Sequence, residues 1–185
     1  MLRRLPSSPS LAPLRATLSE RLLSAAELEE DDGRQLLASA RRLRRATHGG
    51  GQACLLKGRH IAIECEMGSH HREDLFEIAA TGLGARVSRI VSNLLLDDTP
   101  QAAAAAARML PRLYDALECN SISAERALEL HHQAGVPVYL DLGGARHPIR
   151  ALLSAIASDP EASPGRSPDE DLTLLMQAVL VKTLT

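Results

Sequence analysis

Apolar residues recur at helical spacing between about Leu18 and Arg45, as in Leu36, Leu37, Ala40 and Leu43, and predict helix there. Gly33 falls inside this run and is expected to split it in two. Gly49-Gly50-Gly51 then ends the pattern in a flexible loop. Beyond it the period changes. The run from His60 to Glu66 (HIAIECE) is short and β-rich; a turn follows at Gly68-Ser69 and helical spacing resumes from His70 to Leu83. The same alternation recurs as Arg86 to Val91 then Pro100 to Tyr114, Ala116 to Cys119 then Ser123 to Ala134, and Val136 to Leu140 then Pro148 to Ala157. Strands alternating with helices predict an α/β domain in three layers, α/β/α, whose four-stranded parallel sheet is covered on both faces through right-handed crossovers.

After Ala157 the chain reads SDPEASPGRSPDED, a Pro-, Ser- and acid-rich stretch expected to be a linker over residues 158–170. The closing DLTLLMQAVLVKTL puts Leu172, Leu175, Met176, Val179 and Leu184 on a broad apolar stripe, so residues 171–185 are expected to form a helix docking on the domain of residues 18–157. Residues 1–17 carry Arg3, Arg4 and Arg15 with several Ser and Pro and no acid; they read as a flexible arm, with a transit peptide as the alternative.

Composition narrows the function classes. A chain of 185 residues suits one domain that needs neither disulfides nor metals. Trp is absent and Phe occurs once, so aliphatic side chains must fill the core. A net charge of −2 gives no electrostatic footprint for nucleic acid. No apolar run approaches the roughly 20 residues of a membrane-spanning helix, so no membrane partner is expected. Cys54, Cys65 and Cys119 lack any C-x-x-C pair, which fits a reducing cytoplasm. Cys65 and Cys119 lie in strand runs and read as small buried hydrophobes, with no catalytic base beside either. Within His70-His71 and His131-His132, side chains on one helix point about 100° apart, so neither pair reads as a metal site. No cofactor is expected.

LLKGRHIAIECEMGSHHREDLFEIAATGLGARV is similar, without a gap, to the first strand and phosphate-binding helix of the ornithine carbamoyltransferases. The family's Leu-Lys-Gly, Ser-Thr-Arg-Thr-Arg, Phe-Glu-x-Ala-Ala and Gly-Ala-x-Val are here Leu56-Lys57-Gly58, Ser69-His70-His71-Arg72-Glu73, Phe76-Glu77-Ile78-Ala79-Ala80 and Gly84-Ala85-Arg86-Val87. RMLPRLYDALEC, AGVPVYLDL and RHPIR resemble further segments, the last one the family's His-Pro-Thr-Gln, in order between about Leu18 and Ala157. The chain resembles the carbamoyl-phosphate-binding domain of the aspartate and ornithine carbamoyltransferases, closest to the ornithine type. Its last segment resembles their carboxy-terminal helix, which implies that the linker stands where an amino-acid-binding domain would be.

The resemblance implies a sheet in order 2-1-3-4 and an anion site at the carboxyl ends of its strands. Its candidate residues are Ser69, His70, His71, Arg72, Arg112, His147 and Arg150. Ser69 matches the motif's serine, which donates to phosphate or caps the helix. His71 stands at a phosphate-gripping arginine, where an imidazole loses the bidentate charged contact. Glu73 replaces a second arginine with a charge that repels phosphate, and Arg72 is placed to compensate in part. Arg112 matches an arginine that binds phosphate and carbonyl; His147 matches the histidine that polarises the carbamoyl oxygen; Arg150 replaces a glutamine. In VSNLLLDDTPQ, Pro100 stands at a lysine that enters a neighbour's site, with Leu94-Leu95-Leu96 ahead of it, so a shared active site is expected to be lost.

These substitutions point to a transcarbamylase-like pseudoenzyme, a ligand-binding or assembly subunit for carbamoyl phosphate, phosphate or another small anion. It is expected as a homotrimer or in association with a true transcarbamylase. The alternative is a carbamoyltransferase completed by an amino-acid-binding domain from another chain.

Overall fold

The computed structural model describes residues 18–23, 28–48, 54–65, 71–91, 99–160 and 165–185. The arm 1–17, the Gly49–Gly51 loop, Ser69, His70 and Leu94–Leu96 lie outside the described residues.

The amino-terminal helical pattern becomes α1 (Leu18–Leu23) and α2 (Glu30–His48). Gly33 does not divide it. It sits in the first turn of α2, donates to the Glu29 carbonyl at 3.1 Å, and lies where an added Cβ would be 3.3 Å from the Leu152 side chain. The break falls ahead of Glu30, Asp31 and Asp32, acids that suit the positive end of a new helix.

The alternating pattern gives β1 (His60–Cys65), α3 (His71–Gly82), β2 (Arg86–Val91), α4 (Pro100–Met109), β3 (Ala116–Cys119), α5 (Ala124–Ala134), β4 (Val138–Leu140), α6 (Leu153–Ala157) and α7 (Pro168–Leu184). Tight 3-10 turns at Leu110–Arg112 and Pro148–Leu152 close what read as longer helices. The strands pair in parallel in the order β2-β1-β3-β4, with Ile61 opposite both Val87 and Ala116, and Leu117 opposite Val138.

Register assigns the faces. Ile61 and Ile63 join Phe76, Ala79, Leu36 and Ala40 under α2, α3 and α7. Ala62, Leu117 and Cys119 turn the other way, onto Ala106, Ala107, Leu110, Ala127 and Leu130. With few aromatics available, Phe76 and Tyr139 carry the bulk of the first face, their rings 5.9 Å apart and tilted by 49°.

α7 is more deeply placed than a stripe requires. Leu174, Ala178 and Leu180 are buried as well as Leu172, Leu175, Met176, Val179 and Leu184, because the helix lies among α2, α3 and α6 rather than on top of them. It starts at Pro168, where Ser167 forms a capping box: its hydroxyl accepts from the Glu170 N–H at 3.2 Å while its own N–H donates to the Glu170 carboxylate at 2.7 Å. Ser167→Ala is expected to lower stability by about 1 kcal/mol in urea unfolding.

Both ends of the connection between α6 and α7 are tied to α2. Arg41 pairs with Asp159 at 2.6 Å, and Arg166 with Asp171 at 2.9 Å. Buried Arg44 lies between the two carboxylates, 3.8 Å from Asp159 and 3.7 Å from Asp171, and donates to the Ile156 carbonyl at 3.2 Å. No helix among the described residues is long and apolar enough to cross a membrane.

Candidate functional site

In a parallel α/β sheet, ligands gather where strands run out into loops at their carboxyl ends. Three such ends lie side by side here: those of β1, β3 and β4.

At β1 the sequence places a carboxylate inside an apolar strand. Glu64 is 1% exposed, and its side chain reaches past the end of β3. One oxygen accepts from the N–H groups of Asn120 and Ser121 at 2.8 and 3.0 Å; the other accepts from the Ser121 hydroxyl. The Asn120 side chain donates to the Glu64 carbonyl at 3.2 Å. β3 repeats the device one strand along, where buried Glu118 accepts from the Leu142 N–H beyond β4 at 2.8 Å. Burial pushes the Cys119 thiol well up, and the Glu118 and Glu64 charges raise it further, so it stays a thiol and serves as packing.

At β4 the chain turns sharply. Asp141 adopts φ 49°, and a Cβ on Gly144 would collide with the Asp141 carboxylate, so glycine is required there. The turn leads to His147, whose Nδ1 accepts from the Ile149 N–H at 3.3 Å and opens the following 3-10 turn. Burial lowers the His147 pKa to about 4, Arg150 lowers it too, and the Leu22 backbone opposes them, so the ring is neutral at pH 7. Arg150 donates to the carbonyls of Gly144 and Gly143 at 2.8 and 2.9 Å and thereby staples the turn.

The structure therefore places His147 and Arg150 together beyond β4, and His71 and Arg72 as the first two residues of α3, the helix that follows β1. It does not bring Arg112 to them. Arg112 ends the turn that precedes β3, and Asp115 just after it exchanges bonds with His60, the first residue of β1, at 2.7 and 2.8 Å. Arg112 thus belongs to the amino edge of the sheet, a strand's length from the candidate site. Residues that follow β3 hold the corresponding place at the carboxyl edge, and these are Asn120 and Ser121.

Glu64 and Glu118 escaped the sequence reading, although a signal was present: Ile63-Glu64-Cys65 and Leu117-Glu118-Cys119 put the same acid at the end of two buried strands. His131 and His132 face separate partners, the Val136 carbonyl at 3.0 Å and Glu20 at 3.7 Å. A groove of about 630 Å³, lined by Leu43, Leu75, Ile78, Leu174 and Gln177 among others, lies between α2, α3 and α7.

A parallel α/β domain whose carboxyl edge gathers the start of α3, the turn after β3 and a histidine turn after β4 is thus defined. Residues 20–158 match the family described as aspartate/ornithine carbamoyltransferase, carbamoyl-P binding domain, and the chain belongs to that family. It is 33% identical over 135 residues to an ornithine carbamoyltransferase of Haemophilus influenzae, covering 73% of this chain and 40% of that protein. A catabolic ornithine carbamoyltransferase of Burkholderia mallei is 36% identical over 131 residues, 71% of this chain and 39% of the relative. The chain thus spans about 40% of the length of these relatives.

Among solved structures, the ornithine carbamoyltransferase of Pyrococcus furiosus aligns with a TM-score of 0.57 and 23% identity over 69% of this chain and 41% of its own. The catalytic subunit of M. jannaschii aspartate transcarbamoylase gives 0.58 and 17% over 82% of this chain and 54% of its own. At these identities the structures show the fold.

Proposed function

We propose that the chain is a transcarbamylase-like binding or assembly subunit, a pseudoenzyme whose carboxyl edge holds carbamoyl phosphate, phosphate or another small anion weakly. The observation that carries this reading is how the retained His147 and the substituted Arg150 are engaged beyond β4. The His147 Nδ1 and the Arg150 guanidinium are both engaged with the chain's own backbone, at Ile149 and at Gly143 and Gly144. The substitutions at the start of α3 support it further, since His71 and Glu73 replace the family's arginines, while Ser69, His70 and Arg72 remain as donors. In this reading the stretch expected as a linker over residues 158–170, of which Pro168 to Glu170 instead open α7, stands in place of an amino-acid-binding domain. The ties of Asp159 and Asp171 to Arg41, Arg44 and Arg166 support it, because they close the gap within one core. Three free cysteines agree with a cytoplasmic setting, and assembly is as a homotrimer or with a complete transcarbamylase.

The second reading is a carbamoyltransferase completed by an amino-acid-binding domain from another chain. Retention of His147 at the carbonyl-polarising position favours it.

Two measurements separate these. The purified chain is expected to form no citrulline or carbamoyl-aspartate above an enzyme-free control; product formation overturns the pseudoenzyme reading. In calorimetry, carbamoyl phosphate is expected to bind at about millimolar affinity, and His71→Arg with Glu73→Arg to tighten it by about ten-fold or more, an effect that shrinks in high salt. Micromolar binding by the native chain, or no gain in the double variant, overturns the reading of a weakened anion edge.

A further inference from the structure

We infer that the carboxyl end of β3 is an oxyanion cradle that the chain fills with its own Glu64. The donors come first. Two successive backbone N–H groups, those of Asn120 and Ser121, point at one spot, as in the backbone nests that bind anions. The Ser121 hydroxyl joins them. All three converge on a carboxylate that is 1% exposed, so water contributes almost nothing to its solvation and these donors hold it in place. The carboxylate arrives from a different strand, 56 residues earlier in the chain. Two of the donors are main-chain groups, whose direction is set by the path of β3 into its loop and by its pairing with β1 and β4. They would stay aimed if the Glu64 side chain were shortened.

The class of ligand follows from the size of what is removed. Beyond its Cβ, a glutamate side chain is an acetate group. Truncation to alanine therefore leaves a hole of acetate shape, with these three donors, among the described residues, at its far end and Ala62 and Leu117 of the apolar cluster under α4 and α5 along the same face. Small carboxylate monoanions fit, acetate best and formate next. In the native chain this place is taken, so an incoming anion at the carboxyl edge finds these donors already used. This stands whether or not the chain binds carbamoyl phosphate, and its test is separate from that reading.

Thermal unfolding of Glu64→Ala in sodium acetate, against sodium chloride of equal ionic strength, tests it. The variant is expected to melt below the native protein and to recover saturably, by several degrees, as acetate rises to about 0.2 M. The native chain and Glu64→Gln, whose cradles stay filled, are expected to respond alike to both salts. Acetate that stabilises Glu64→Ala no more than chloride does, or that stabilises the native chain equally, overturns the inference. Should Glu64→Ala fail to fold, hydrogen exchange at the Asn120 and Ser121 amides of the native chain decides. Protection of about 100-fold or more over an unstructured peptide is expected at both, and free exchange at either overturns the inference.

Discussion

Arg44→Ala is expected to lower the free energy of unfolding by about 3 kcal/mol, the low end of what breaking a buried ion pair costs. Arg44 is 2% exposed, and its charge faces Asp159 and Asp171, which are 7% and 4% exposed. Each carboxylate keeps one further arginine, Arg41 at 2.6 Å or Arg166 at 2.9 Å, which is why the upper end of the range does not apply. Truncation also removes the bond to the Ile156 carbonyl and leaves a cavity between α2 and the start of α7. Urea unfolding checks this: the midpoint should fall with the slope unchanged. A loss below about 1 kcal/mol would show that Arg41 and Arg166 suffice to hold the two carboxylates.

Stability is expected to fall by about 3 kcal/mol between pH 6.5 and pH 4 on account of His147 alone. Its pKa is 6.5 unfolded and about 4 folded, chiefly through burial. Between those values the unfolded chain binds more protons, so the free energy of unfolding rises with pH; the contribution is complete above about 6.5 and is lost as pH falls through 4. Each pKa unit corresponds to about 1.4 kcal/mol, which sets the magnitude. His147→Gln should flatten the curve in this window, as urea unfolding at several pH values would show; an unchanged slope would place the titration elsewhere. Asp115 acts in a separate window. Burial raises its pKa, but the His60 N–H and Arg59 outweigh that and leave it lowered, so its share is lost only below the ordinary carboxylate value of 3.8.

The parallel α/β architecture was legible because the strands are short apolar runs and the helices between them carry a different period. The sheet order was not; it came from family resemblance and agrees with the observed pairing. Gly33 misled because a glycine in a helix ordinarily signals a break, whereas here the constraint is the close approach of Leu152. Arg112 misled for a different reason. A matched segment says nothing about which edge of a sheet a residue occupies, although chain direction does: in a parallel sheet, residues entering a strand lie at the amino edge. Glu64 was hidden because its partners are 56 and 57 residues away, a separation no local pattern encodes.

The depth of α7 has a consequence for the order in which the chain can fold. Leu175, Val179 and Leu180 belong to the same core as Leu36, Ala40 and Phe76, so that core stays open until residues 168–184 have arrived. During synthesis, β1 to β4 emerge well before the helix that closes over them. The early segments must wait with one apolar face uncovered, since loop closure over more than 100 residues precedes the main gain in burial. Folding is then governed by the capture of one late helix, and a ribosome-bound chain halted before Pro168 would present the uncovered face to whatever chaperone is at hand.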